Sequence, residues 1–230
     1  MRYARAMPLP SPPTPYSLRP ALLAGGTGLV GRALATLWTG PQPLHLLVRR
    51  EMAPTGPSQR VHVVDFAALP PLPRAEWAIC CLGTTIKVAG SQAGFRAVDH
   101  DAVLAFARAA SAAGVTHFAV VSALGADAQS RTFYNRVKGE TEAALQTVGF
   151  RHLVIARPSL LAGDRASLAQ APRLGERLAL ALTRPMAGLI PKAWRPIEAV
   201  TLARALLRGL AEAAPGVTVL ESAALQDLGA

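Results

Sequence analysis

The stretch that most constrains this chain is Ala21-Leu22-Leu23-Ala24-Gly25-Gly26-Thr27-Gly28-Leu29-Val30-Gly31. A short apolar run breaks there into glycines and resumes as a helical pattern with Val30, Leu34 and Leu37 on one side. It reads as a buried strand, a tight turn and a helix start. Gly25, Gly28 and Gly31 permit the turn, a close backbone approach to a diphosphate, and a close contact between helix and strand. The free N–H groups of the helix N-terminus then face the anion. The simplest ligand is a dinucleotide, held by Gly25, Thr27, Gly28, Leu29, Val30 and Gly31. An ordinary glycine-rich turn is the competing reading, so other parts of the chain must decide between them.

Further apolar runs follow at Leu44 to Val48, Val61 to Val64, Ala78 to Leu82, Phe118 to Val121 and Leu153 to Ala156, with a last one near Val217 to Leu220. Continuous apolar strands with helices between several of them indicate a parallel sheet covered on both faces. The connection from Asp65 to Trp77 carries Pro70, Pro71 and Pro73, so no full helix is expected there. An alanine-rich helical pattern from Phe95 to Ala113 places Val98, Ala102, Ala105 and Ala109 on one face and ends at Gly114. Beyond Pro158 come a polar loop through Asp164 and Arg165, an apolar helix around Leu174 to Leu182, and a helix from about Glu198 to Ala213.

The 230 residues suit one domain with a small appended lobe. Residues 1–19, rich in proline and without an apolar signal region, read as a disordered tail or as sequence ahead of a start at Met7. Arg32 and Arg184 interrupt the longest apolar stretches, so no membrane span is expected. Cys80 and Cys81 are adjacent on a strand and point to opposite faces, which a disulfide would strain badly. Reduced thiols and a cytoplasmic location are therefore expected. No His/Cys cluster has metal-ligand spacing, and no metal is expected. The net charge of +10 is carried by scattered residues, with only Arg49-Arg50 paired after a strand, which argues against nucleic acid. Only three lysines, Lys87, Lys138 and Lys192, stand beside 21 arginines. A lysine in such company marks a place where a guanidinium would serve badly.

One of those lysines belongs to a second constellation. In Thr132-Phe133-Tyr134-Asn135-Arg136-Val137-Lys138, Tyr134 and Lys138 are i,i+4 neighbours on a helix whose same face carries Thr141, Leu145 and Val148. An ammonium beside a phenol favours the phenolate and makes the tyrosine a usable general acid or base. The alternative is a rim lysine and a core tyrosine. Ser122 ends a strand at the carboxyl edge, where its hydroxyl can bond a substrate carbonyl oxygen, or simply cap a loop.

Together the glycine turn, Ser122 and the Tyr134/Lys138 pair resemble the short-chain dehydrogenase/reductase superfamily, in its extended or atypical branch. More narrowly, Cys80-Cys81-Leu82-Gly83-Thr84-Thr85, Phe95-Arg96-Ala97-Val98-Asp99-His100-Asp101, Val137-Lys138-Gly139-Glu140 and Arg157-Pro158 resemble the Tat-interacting-protein-like oxidoreductases. The likeness runs from Ala21 to the C-terminus. It implies an α/β Rossmann-type doubly wound parallel sheet over residues 20–230, with residues 159–196 and the C-terminus forming a substrate-side lobe. It also implies a nicotinamide cofactor, with adenine near Asp65 and Phe66, ribose near Leu82, Gly83 and Thr84, and nicotinamide near Tyr134, Lys138 and Pro158. Where that branch often has an asparagine in its proton relay, this chain has Asp99.

Arg49 and Arg50 follow the second strand, where an NAD site usually has an acidic residue, so NADP(H) is preferred over NAD(H). The expected function is an NADP(H)-dependent oxidoreductase acting on a small carbonyl or alcohol, as a monomer or homodimer. Ser122, Tyr134 and Lys138 are its expected catalytic residues. The alternatives are an NADP(H)-binding regulatory or scaffold protein, and an epimerase or dehydratase that retains its cofactor. Leu160, Leu161, Leu174, Met186 and Leu189 suggest either an apolar substrate or a lid packed on the core.

Overall fold

Unbroken apolar strands need cover on both faces. The computed structural model, which describes residues 19–162 and 191–230, places them in one all-parallel seven-stranded sheet. Its first six strands are β1 (Ala21–Ala24), β2 (Leu44–Val48), β3 (Gln59–Val63), β4 (Trp77–Cys80), β5 (His117–Val121) and β6 (His152–Arg157). β7 (Leu161–Ala162) and β8 (Ile197–Glu198) form a separate short parallel pair, and β9 (Gly216–Glu221) completes the large sheet. The strand order is β3-β2-β1-β4-β5-β6-β9, so the chain steps outward from β1 and then returns to its other side. The carboxyl ends of β1 and β4 flank the reversal, where sheets of this type leave a crevice.

The inner strands divide their side chains between two cores. Leu23, Ile79 and Val154 face α1 (Leu29–Leu37) and a later helix, Ala199–Glu212, while Leu22, Ala78 and Ile155 face the opposite side. The adjacent thiols follow the same alternation. Cys80 is buried in the second core, Cys81 packs against the first, and both are free.

The helix expected from Phe95 to Ala113 is present but not uniform. Following the short α2 (Ile86–Ala89), it begins as α3 (Gln92–Arg96), widens into a π-helical turn over Ala97–Ala102, and continues as α4 (Val103–Ala112). The buried face is therefore Val103, Phe106, Ala107 and Ala110, one residue beyond the expected register, because the π turn accommodates an extra residue. No helix spans Asp65 to Trp77, as the prolines require.

α5 (Phe133–Gln146) carries the tyrosine–lysine pair. After it come α6 (Ala199–Glu212) and α7 (Ser222–Leu228), the last of which the sequence reading did not anticipate. Arg19, expected in the tail, pairs with Glu76. Asp164, Arg165, Leu174, Met186 and Leu189 lie outside the described residues, as does the helix expected around them. Among the described residues, no helix is long and apolar enough to cross a membrane.

Gly139 lets α5 pack directly against the turn at residues 127–128. A Cβ there would lie 2.6 Å from the Cα of Asp127, in backbone that cannot step aside without moving the 127–128 turn. Gly139→Ala is expected to lower stability by about 1–3 kcal/mol, read as a lower urea midpoint at unchanged slope. An unchanged midpoint would show that the helix is not seated by this contact.

Candidate functional site

At the reversal the backbone itself forms the first half of the site. Gly25 has φ 85°, and a Cβ on it would collide with the Cys81 backbone at 2.5 Å; a Cβ on Gly31 would lie 2.8 Å from the Cα of Gly26. β1, the turn and α1 can approach this closely only with glycine at these positions. No side chain caps the first turn of α1, so its N–H groups are left for an anion. A crevice of about 540 Å³ opens there.

Its walls contain many of the residues expected from sequence. Gly28, Leu29, Val30, Leu82, Gly83 and Thr84 line it, and so do Arg49, Pro158, Ser122, Tyr134 and Lys138. Gly25, Thr27 and Gly31 shape the turn beneath. Arg50 is exposed outside the lining. Asp65 and Phe66 are not brought into the crevice either. The Phe66 ring is buried in the core with Leu22 and Leu47, and the Asp65 carboxylate accepts the Ala67 N–H at 2.9 Å.

Tyr134 and Lys138 share a face of α5 but not an environment. The Tyr134 ring leans on buried Phe95, with centroids 5.3 Å apart, and is 38% exposed to the crevice, whereas Lys138 is 5% exposed. An ammonium so deep needs a counter-charge. Asp99 supplies it from the π turn: Oδ1 lies 2.8 Å from Lys138 Nζ, and Oδ2 accepts the Thr84 N–H at 2.8 Å. The Thr141 hydroxyl donates to the Asp99 carbonyl at 3.1 Å. Burial alone would lower the Lys138 pKa. The Asp99 carboxylate, the Tyr134 phenol and the Asp99 hydrogen bond outweigh it and hold the ammonium above its ordinary value. Burial pushes the neighbouring Cys80 thiol up to about 12, so it stays neutral beside the pair.

Ser122 also lines the crevice, but its proton points elsewhere. Its hydroxyl donates to Glu142 Oε1, in a buried contact behind the wall. Arg157 holds the same carboxylate, with Nη2 donating to Oε2 at 2.6 Å and Nε to Oε1 at 3.1 Å, and its Nη1 reaches Glu221 at 3.0 Å. Side-chain hydrogen bonding to Glu142 raises the Arg157 pKa despite partial burial. The donor role expected of Ser122 is therefore corrected: with its proton committed, it offers the crevice lone pairs. The next residue on that wall, Ala123, adds only a methyl group. Sequence reasoning missed Glu142 and its partner Arg157. The available signal was a carboxylate four residues beyond Lys138 on an otherwise apolar face.

No protein-family model matches the chain. Among curated proteins it is 39% identical over 175 residues to HTATIP2 of Rattus norvegicus, covering 73% of this chain and 69% of that one. It is 34% identical over 158 residues to the mitochondrial protein fmp52 of Emericella nidulans, covering 62% and 67%. Among solved structures, MoeE5 in complex with UDP-glucuronic acid and NAD superposes with a TM-score of 0.68 at 18% identity, over 88% of this chain and 76% of that one, which is a likeness of fold. The cytoplasmic location expected from the cysteines is overturned by these relatives, since the FMP52 proteins of four fungi are named mitochondrial. Free thiols report a reducing compartment without saying which one. By the extent of its identity with rat HTATIP2 and by its seven-stranded parallel sheet, the chain belongs to the Tat-interacting-protein (HTATIP2) family of atypical short-chain dehydrogenase/reductase-like proteins.

Proposed function

We propose that the protein is an NADP(H)-dependent oxidoreductase interconverting a carbonyl compound and an alcohol. The observation that carries this reading is the Tyr134 phenol, backed by the buried Lys138–Asp99 pair and open to the same crevice as the glycine turn. A dinucleotide fits the uncapped first turn of α1 and the tight glycine turn before it, where Gly25 and Gly31 let backbone pack directly on backbone. The NAD held by the similarly folded MoeE5 supports the same class of cofactor. When bound, the nicotinamide supplies or accepts the hydride.

The protein's own part is the proton. Tyr134 gives it to the carbonyl oxygen in reduction and takes it back in oxidation, and the Lys138 ammonium favours the phenolate left between. Asp99 keeps that ammonium charged and in place, which makes it a positioning residue. Ser122, its own proton directed to Glu142, presents only hydrogen-bond acceptor lone pairs to the crevice. Arg49, exposed at the end of β2 on the crevice wall, supports NADP(H) over NAD(H), because a guanidinium pairs with a 2′-phosphate and gains little from a 2′-hydroxyl.

A second reading, NADP(H) binding for regulation without robust turnover, is favoured by the committed Ser122 proton, which leaves Tyr134 to polarise the carbonyl without that hydroxyl's help. Tyr134→Phe separates the two. With NADPH and a panel of aldehydes and ketones, the oxidoreductase loses about 100-fold or more in kcat/KM, while NADPH affinity measured by fluorescence titration is unchanged. Equal turnover by the variant would remove Tyr134 from the chemistry. Absence of turnover in the parent with tight NADPH binding would favour the regulatory reading. Arg49→Ala is expected to reduce the preference for NADPH over NADH by roughly ten- to a hundredfold, since a charge-assisted bond to phosphate is worth roughly 1.5–3 kcal/mol. A preference that survives intact would place 2′-phosphate recognition elsewhere.

A further inference from the structure

Among the described residues, eight large apolar or aromatic side chains are exposed, and four of them, Ile86, Val88, Tyr134 and Leu160, line this one crevice. Val88 is the most open, at 71%. Ile86 and Val88 stand on α2, just past β4, and Leu160 precedes β7, so hydrocarbon from two parts of the chain lines the crevice that holds the tyrosine. An exposed apolar cluster gathered in a concavity is a binding surface far more often than an accident of composition.

Several polar side chains along the same walls are engaged with the protein itself. The Ser122 hydroxyl donates to Glu142, the Ser159 hydroxyl donates to the Arg195 carbonyl, and the Thr85 hydroxyl oxygen accepts the Val88 N–H at 3.2 Å. Three charged residues line the crevice: Lys138 and Asp99 answer each other, and Arg49 sits at the end of β2, on the far side of the glycine turn from the apolar walls. Among the described residues, these walls therefore gather apolar surface around one exposed phenol, with the Thr84 and Thr85 hydroxyls as the remaining side-chain donors.

Resting on the oxidoreductase reading above, we propose that the substrate is an apolar carbonyl compound, an aldehyde or ketone whose hydrocarbon chain lies against Ile86, Val88 and Leu160, and not a phosphorylated or nucleotide-linked sugar. In the reducing direction its carbonyl carbon gains a hydride, and with it two electrons, from NADPH. Its oxygen gains the Tyr134 proton, and the products are the alcohol and NADP⁺. The phenolate takes its proton back from solvent.

Two measurements on the cofactor-loaded protein test this. In the first, NADPH oxidation is followed with straight-chain aldehydes from propanal to decanal and with glyceraldehyde 3-phosphate. In the second, calorimetry measures binding of the unreactive amides butanamide to decanamide to the NADP⁺ complex. The expected result is a rise of about fourfold per added methylene in both kcat/KM and amide affinity, the value for burying one CH₂, with the phosphorylated aldehyde the poorest substrate. Val88→Asp should flatten both series. Turnover with no dependence on chain length, or a preference for the phosphorylated aldehyde, would overturn the apolar substrate and leave the oxidoreductase standing. Amide affinity that climbs with length while no aldehyde is turned over would uphold the apolar site and defeat the oxidoreductase.

Discussion

A charged ammonium buried in the interior is the constraint on which the arrangement of this protein turns. Removing an ion from water costs several kcal/mol, and the cost is recovered only by a well-placed counter-charge with its own hydrogen bonds satisfied. Lys138 meets this requirement through Asp99, which is itself 1% exposed and held by the Thr84 N–H. The pair ties three pieces of chain at one point: the loop after β4, the π turn and α5. A regular α-helix through residues 97–102 would rotate Asp99 away, so the local irregularity is what makes the burial possible. Because the Lys138 pKa is raised in the folded state, the pair's contribution to stability is fully present at neutral pH. It is lost only as pH rises through that raised value.

The second buried carboxylate, Glu142, is placed four residues further along the same helix and does a different job. It takes the Ser122 proton and is balanced by Arg157, which also reaches Glu221 at the end of the edge strand β9. One carboxylate thus serves the cation beside the phenol, and the other fixes the strand ends and removes a donor from the crevice wall. The proposed reaction then rests more heavily on Tyr134 than it would with a free serine hydroxyl opposite. An apolar substrate with one oxygen to place suits such a wall, because it asks for few polar partners.

Much of the fold is legible in the sequence because its signals are local. Apolar runs bounded by turn residues mark the inner strands, and the glycine spacing marks the one turn where backbone must touch backbone. The i,i+4 spacing of Tyr134 and Lys138 gives their shared face. What escapes sequence reading depends on tertiary contact. The π turn shifts the buried face of α4 by one residue without any change in composition. Phe66 looks like a nucleotide contact and is a core filler. Ser122 looks like a donor toward substrate until Glu142, 20 residues away, is seen to take its proton. The aspartate at position 99 departs from the asparagine of the extended branch, yet only the structure reveals that it neutralises the lysine.

The whole arrangement turns on Asp99 keeping a buried Lys138 charged. With only three lysines in the chain, the Lys138 Nζ signal can be assigned by comparison with single substitutions, and its titration followed by ¹⁵N NMR. The account predicts an ammonium that persists above the ordinary lysine value of about 10.4. In Asp99→Asn, burial should prevail and the titration should move down. Identical titration curves in the two proteins, or a parent lysine already neutral at pH values where exposed lysines stay charged, would contradict it.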